Sequence, residues 1–137
     1  MPEGLTLGQI GEQELIKRLA AYARPDQWND DAALLPEISP ERWVISSDTL
    51  VEGVHFSADT TPAAAAGWRA AAANLSDLAA MGCRRCEGIT VALSAPRDTE
   101  VRWIEQAYGG MKELLQQHGG HLLGGDCSGG EQLVLAI

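Results

Sequence analysis

Gly88-Ile89-Thr90-Val91-Ala92-Leu93-Ser94-Ala95-Pro96 decides how the rest of the chain is read. Its β-branched and apolar residues predict a strand, and Pro96, which cannot donate to a sheet ladder, ends it. Asp98 or Thr99 is placed to cap a helix running to about His118, with Val101, Ile104, Ala107, Tyr108, Met111 and Leu115 as its inner face. Gly109-Gly110 interrupts that helix at about 1 kcal/mol per glycine relative to alanine. A close approach by another group is therefore expected there, the ligand being one candidate.

Upstream of the strand, Thr60 or Thr61 can cap an alanine-rich helix from Ala63 to Met81, with Pro62 at its first position and Gly82 closing it. So much alanine predicts close packing against a sheet or another helix, with Asn74 and Asp77 on one face at i, i+3. Further out, Gly11 to Ala23 reads as an amphipathic helix with Leu15, Ile16, Leu19 and Ala20 inward, stopped by Pro25 and Asp26. Ala32 to Leu35 and Trp43 to Leu50 read as strands. Beyond the last helix come a strand from His121 to Leu123, a glycine-rich loop from Gly124 to Gly130, and a strand from Gln132 to Ile137. That loop is either a hairpin connection or a backbone that lets phosphate come close. The pattern predicts an α+β domain with a mixed or mostly antiparallel sheet and helices on one face.

The 137 residues suit one domain. With 19 acidic against 10 basic side chains, the net charge of -9 argues against binding nucleic acid, whose phosphates are held chiefly by lysine and arginine. An acidic protein can still bind a polyanion if metal ions bridge the two. No apolar run approaches the roughly 20 residues that span a bilayer, and Met1-Pro2-Glu3-Gly4 lacks the regions of a signal peptide. A cytoplasmic protein without a membrane segment is expected. Cys83, Cys86 and Cys127 suit a reducing compartment. Cys83-Arg84-Arg85-Cys86 lacks the second pair or histidine of a zinc site, so ordinary thiols are expected. Leu133 to Ile137 is apolar with no polar tail, which leads us to expect a continuation into a further domain.

Four segments carry aspartate among small or hydroxyl-bearing residues: Asn29-Asp30-Asp31-Ala32, Ser46-Ser47-Asp48-Thr49, Asn74-Leu75-Ser76-Asp77 and Gly124-Gly125-Asp126. Magnesium takes hard oxygen ligands, usually one or two carboxylates plus the substrate's phosphates. Such segments are what a protein needs to gather divalent cations around a polyphosphate.

Ser46-Ser47-Asp48-Thr49-Leu50-Val51-Glu52-Gly53-Val54-His55-Phe56, Asn74 through Gly82, and Gly124-Gly125-Asp126 resemble, in order and spacing, the thiamine-monophosphate kinases. The resemblance covers nearly the whole chain. It implies the N-terminal domain of the aminoimidazole ribonucleotide synthetase-like fold over residues 1–137, an ATP- and Mg-binding and dimerisation domain, with the C-terminal domain absent from this chain. It implies transfer of the γ-phosphoryl of ATP to thiamine monophosphate, giving thiamine diphosphate, and a homodimer paired through the sheet. By the same resemblance Asp31, Asp48, Asp77 and Asp126 match magnesium ligands, with Asp30 adjacent, and Ser46 and Ser47 match positions that ligate magnesium through oxygen. His55 matches a contact to the thiamine phosphate, and Tyr108, Gly125 and Asp126 match nucleotide contacts. Where the family has Gly-Ile-Gly before the paired aspartates, this chain has Gln27-Trp28-Asn29, which is expected to alter the backbone path into Asp30-Asp31.

The expected chemistry needs no covalent nucleophile. Positioning and charge neutralisation dominate phosphoryl transfer, and a phosphate monoester, with a second pKa of about 6, is already ionised at neutral pH. An alternative of another class is a noncatalytic dimerisation and metal- or nucleotide-binding module when the chain is isolated. Related ATP-using enzymes of the same fold, such as selenophosphate synthetase or the hydrogenase-maturation dehydratase, match less well. The first usually has a reactive cysteine or selenocysteine near the N-terminus, and the second lacks the Glu52 to Phe56 run.

Overall fold

The computed structural model describes residues 4–23, 43 and 45–137. Seven regular elements follow in order: α1 (Leu7–Leu19), β1 (Thr49–Val51), α2 (Ala63–Ala80), β2 (Gly88–Ala95), α3 (Val101–His118), β3 (His121–Gly129) and β4 (Val134–Ala136), with a 3-10 turn at Ala20–Tyr22 after α1. The four strands form one mixed sheet in the order β1-β4-β2-β3. β2 and β3 run parallel, and β4 is antiparallel to both β1 and β2. α3 supplies the crossover that a parallel pair requires.

The predicted one-sided arrangement holds. Ile89, Val91, Leu93 and Ala95 alternate into the core from β2, joined by Leu50, Leu122 and Leu135. Against them pack Ala66, Ala70 and Ala71 of α2, then Val101, Ile104, Tyr108, Met111, Leu114 and Leu115 of α3. Leu15 and Leu19 of α1 complete the cluster. The opposite sheet face carries Thr49, Ala136, Ala92 and Asp126 in register across the four strands, and no helix among the described residues covers it.

The close approach anticipated at Gly109-Gly110 is made by α2, not by a ligand. A Cβ on Gly110 would collide with the Ala64 carbonyl oxygen, and one on Gly67 with that of Ala107. Alternate glycines thus let the two helix backbones touch. Gly109 meets nothing within 4 Å.

Several boundaries differ from expectation, each for a local reason. The first helix begins at Leu7, because the Gln9 side chain accepts from the Thr6 N–H at 2.9 Å and so starts the helix earlier. Gly11, at φ +72, kinks it. Thr60 and Thr61 do not cap α2. Their N–H groups bond back to Ser57, leaving Pro62 at the cap. Likewise α3 starts after Glu100, with no side-chain cap from Asp98 or Thr99. Among the described residues, the strand expected from Trp43 to Leu50 is limited to Thr49–Val51, and Ile45 is 92 % exposed. β1 is an edge strand whose partner β4 spans three residues; beyond that ladder Asp48 and Ile137 exchange a pair of bonds, both 2.9 Å, and Glu52 donates to Leu133 at 3.0 Å.

The largest correction concerns Gly124 to Gly130. Most of it is strand, because the eight residues of β2 pair with β3 from His121 to Gly129, with a register shift between Ile89 and Thr90. Gly125 is required by that pairing, since a Cβ there would strike the Val91 carbonyl. The final strand is correspondingly shorter, Val134–Ala136 rather than Gln132 to Ile137. The strand expected over Ala32 to Leu35, the stop at Pro25 and Asp26, and the Gln27-Trp28-Asn29 departure lie outside the described residues.

Candidate functional site

Antiparallel ladders bond at alternate positions. Asp48 bonds to Ile137, and Glu52 donates to Leu133 at 3.0 Å, so the N–H of Val51 between them points off the sheet edge. His55 satisfies it: the Val51 N–H donates to His55 Nδ1 at 2.9 Å. A turn makes this reach feasible. Val54 and His55 N–H groups bond to the Val51 carbonyl at 3.2 and 2.8 Å, and Gly53 bonds to Phe56 at 2.8 Å. Gly53 has φ +78, a conformation that side chains with a Cβ rarely adopt. Phe56, 7 % exposed, anchors the far end by stacking on Trp103 with centroids 5.7 Å apart.

Because Nδ1 accepts, the neutral imidazole carries its proton on Nε2 and can donate to a ligand from there. His55 lines a cavity of about 130 Å³ with Asp48, Thr49, Leu50, Arg69, Ala70 and Ala73. The structure therefore brings a residue matched to a metal and one matched to a substrate onto the same hollow, between β1 and α2. Nearby, Ser46 Oγ donates to Asp77 Oδ2 at 3.2 Å, which ties the segment before β1 to the last turns of α2. Asp48, Asp77 and Ser47 are exposed and Ser46 is half-buried. Asn74, one turn before Asp77, is 4 % exposed; its amide donates to the Ala70 carbonyl at 3.1 Å and its Oδ1 has no hydrogen-bond partner.

Asp126 stands apart. It projects on the open face of β3, opposite Ala92, at the far edge of the sheet from β1. Three strand spacings of about 4.8 Å separate the edges by roughly 14 Å. Gly125 beside it pairs with Val91. Tyr108 is 2 % exposed and sits in the core, edge-on to Tyr22 with centroids 6.4 Å apart. Its ring has a packing role here. Asp30 and Asp31 lie outside the described residues. Among the described residues no three His, Cys, Asp or Glu side chains gather as a metal cluster.

Arg69 was not singled out by sequence reasoning, although a signal existed: it is the sole charged residue of α2 before Asp77. Its Nη1 donates to the His55 carbonyl at 2.6 Å.

Cys83, Cys86 and Cys127 are free. Burial chiefly raises the Cys86 thiol, partly offset by its bond to the Gly88 carbonyl. Burial, then Asp126 and Glu12, push Cys127 up to about 11, and burial followed by Cys127 raises the Tyr108 hydroxyl. Unfolded, the Cys127 thiol ionises near its ordinary 9.0. The unfolded chain therefore loses its proton first, and stability that is complete below pH 9 declines as pH climbs toward 11. Urea midpoints at pH 8 and pH 10.5 should differ in that sense, and Cys127→Ala should reduce the difference. An equal drop in the variant would remove Cys127 as a cause.

No helix among the described residues is long and apolar enough to cross a membrane. Comparison with known proteins gives consistent relatives. A thiamine-monophosphate kinase of Synechococcus elongatus is 49% identical over 132 residues, covering 96% of this chain and 40% of the relative. The crystal structure of a thiamine-monophosphate kinase from Stenotrophomonas maltophilia superposes with TM-score 0.69 at 40% identity, over 88% of this chain and 38% of that one. A further structure, AaThiL complexed with AMPPCP and TMP, matches at TM-score 0.55 and 31% identity, over 66% of this chain and 29% of that one. The chain spans about two fifths of the length of the curated relatives it matches. The family model described as AIR synthase related protein, N-terminal domain, matches residues 29–137. With its four-stranded mixed sheet, its helices on one face and this match over most of its length, the chain belongs to the AIR synthase related family, as an N-terminal domain.

Proposed function

We propose that this chain is the N-terminal half of an ATP-dependent kinase that phosphorylates thiamine monophosphate to thiamine diphosphate. Residues 1–137 would serve as its ATP- and magnesium-binding and dimerisation domain. The observation that carries the reading is the shared hollow of Asp48 and His55 beside the Ser46–Asp77 pair, in a chain 49% identical to a thiamine-monophosphate kinase. The relative solved with AMPPCP and TMP supports the same pair of substrate classes.

The donor set fits magnesium. Ser46, Ser47, Asp48 and Asp77 offer only hard oxygens, and one or two carboxylates at a site leave the remaining positions to water and phosphate, as magnesium requires. Asp31 would join them. When bound, the metal offsets phosphate charge in a protein of net charge -9. His55 presents its Nε2–H to the acceptor phosphate and orients it. That phosphate is ionised at neutral pH, with a second pKa of about 6, so no side chain has to remove a proton. Gly125 and Asp126 face the nucleotide, and Tyr108 braces the helix behind them. Because Asp126 lies on the sheet face that no helix among the described residues covers, its part of the site is completed by what covers that face, which we take to be a second copy paired through the sheet. Free thiols at all three cysteines accord with a cytoplasmic home.

The test is formation of thiamine diphosphate from ATP and thiamine monophosphate by the full-length protein. Turnover is expected to vanish with EDTA and return with magnesium. An enzyme inert toward this acceptor under all conditions would overturn the reading. A second reading follows from the short span relative to its relatives: residues 1–137 alone should dimerise and bind magnesium nucleotide weakly, with little turnover.

A further inference from the structure

We infer that Arg69 is a positioning residue of the acceptor site, acting through His55. This rests on the kinase reading above. The segment Gly53-Val54-His55 is exposed at the sheet edge, and two contacts, one within the turn and one from outside it, define how the imidazole sits. One is the Val51 N–H, which sets the tautomer. The other is Arg69, whose guanidinium grips the His55 carbonyl oxygen at 2.6 Å from the neighbouring helix.

An arginine on a helix surface is ordinarily a solvated residue, and two features set this one apart. It has no carboxylate partner among the ion pairs of the described residues, so its charge is not spent on an acidic neighbour. It also lines the same cavity as His55 and Asp48. The bond it makes is charge-assisted and directional, and it crosses from a rigid helix to a turn whose other side-chain hydrogen bond among the described residues, from the Val51 N–H to His55 Nδ1, lies within the turn itself. Arg69 thereby holds the peptide that carries His55, so that Nε2–H faces the hollow. Removing it leaves the turn closed by its own backbone bonds and by Phe56, and leaves the ring held by the Val51 N–H alone, a bond that loosens once the His55 peptide is no longer gripped from α2.

The test uses Arg69→Ala and Arg69→Lys in the full-length protein. For Arg69→Ala the acceptor KM should rise about 10-fold, as loss of a charged hydrogen bond implies, while the KM for ATP stays within about twofold. Arg69→Lys, which keeps a donor but not the fork, should recover part of the loss. Nitrogen-15 NMR of the imidazole should report the Nε2–H tautomer for His55 in the parent and a mixture in Arg69→Ala. Arg69 is exposed, so thermal unfolding should hardly move; if Arg69→Ala nonetheless fails to fold, Arg69→Lys carries the same two measurements. An unchanged acceptor KM, or equal rises for both substrates, overturns the assignment. Should the parent protein prove inert toward thiamine monophosphate, the kinase reading falls, and the NMR decides Arg69 alone: an unaltered His55 spectrum in the variant refutes its role.

Discussion

Asp77→Asn should lower turnover of the full-length protein by more than about 100-fold, the order expected when a metal site loses a ligand charge, while leaving stability intact or slightly improved. The two effects separate because of where Asp77 stands. It lies in the last turns of α2, which ends at Ala80, where the helix dipole disfavours a negative charge. Neutralising it there should gain on the order of 0.5 kcal/mol at low salt. The side chain is exposed, and its bond from Ser46 Oγ at 3.2 Å can be kept by the asparagine carbonyl oxygen. A loss of turnover without a loss of stability would explain by function a carboxylate held at the unfavourable end of a helix. Kinetics and thermal unfolding on the same preparation decide the matter. Near-normal turnover would remove Asp77 from the metal site, and a large loss of stability would show that its role is structural.

Gly109→Ala and Gly110→Ala, one residue apart, should change stability in opposite directions. In an unencumbered helix, alanine in place of glycine gains about 1 kcal/mol, and Gly109 has open space around its would-be Cβ. Gly110 has none, because the Ala64 carbonyl and the Trp68 amide of α2 occupy it. Overpacking of this kind costs about 3 kcal/mol, and backbone atoms cannot move aside as the end of a side chain can. Gly67→Ala should behave like Gly110→Ala, since it meets the Ala107 backbone from the other helix. Urea unfolding of the three variants tests the helix crossing directly. If Gly110→Ala proved as stable as the parent, the close approach of α2 and α3 would be wrong.

Much of the fold was legible because its signals are local. The alternation of Ile89, Val91 and Leu93 marked β2, the helical spacing from Val101 to Leu115 marked α3, and alanine density marked α2. Each pattern reflects burial of one face of a single element, so no partner need be known. Gly124 to Gly129 was misread for the converse reason. Glycine-rich residues have no propensity for strands, and only the long ladder offered by β2 makes β3 of them. The candidate site divides the same way. The Ser46–Asp48 and Asn74–Asp77 motifs were readable as letters, and the bond between Ser46 and Asp77 joins them across 31 residues of chain. Arg69 was overlooked, since one charge in an alanine helix looks like a solvated surface.

By itself, then, the order of residues determined the helices, the central strand, the one-sided core and the chemistry of the oxygen-bearing segments, all of which depend on neighbours within a few positions. Only the tertiary structure decided that paired glycines serve a helix crossing, that the edge-strand amide of Val51 selects the tautomer of His55, and that Asp126 faces away from Asp48 across the sheet. Those outcomes depend on which backbones come within van der Waals reach and on which side of a strand each hydrogen bond falls. Spacing along the chain carries neither quantity.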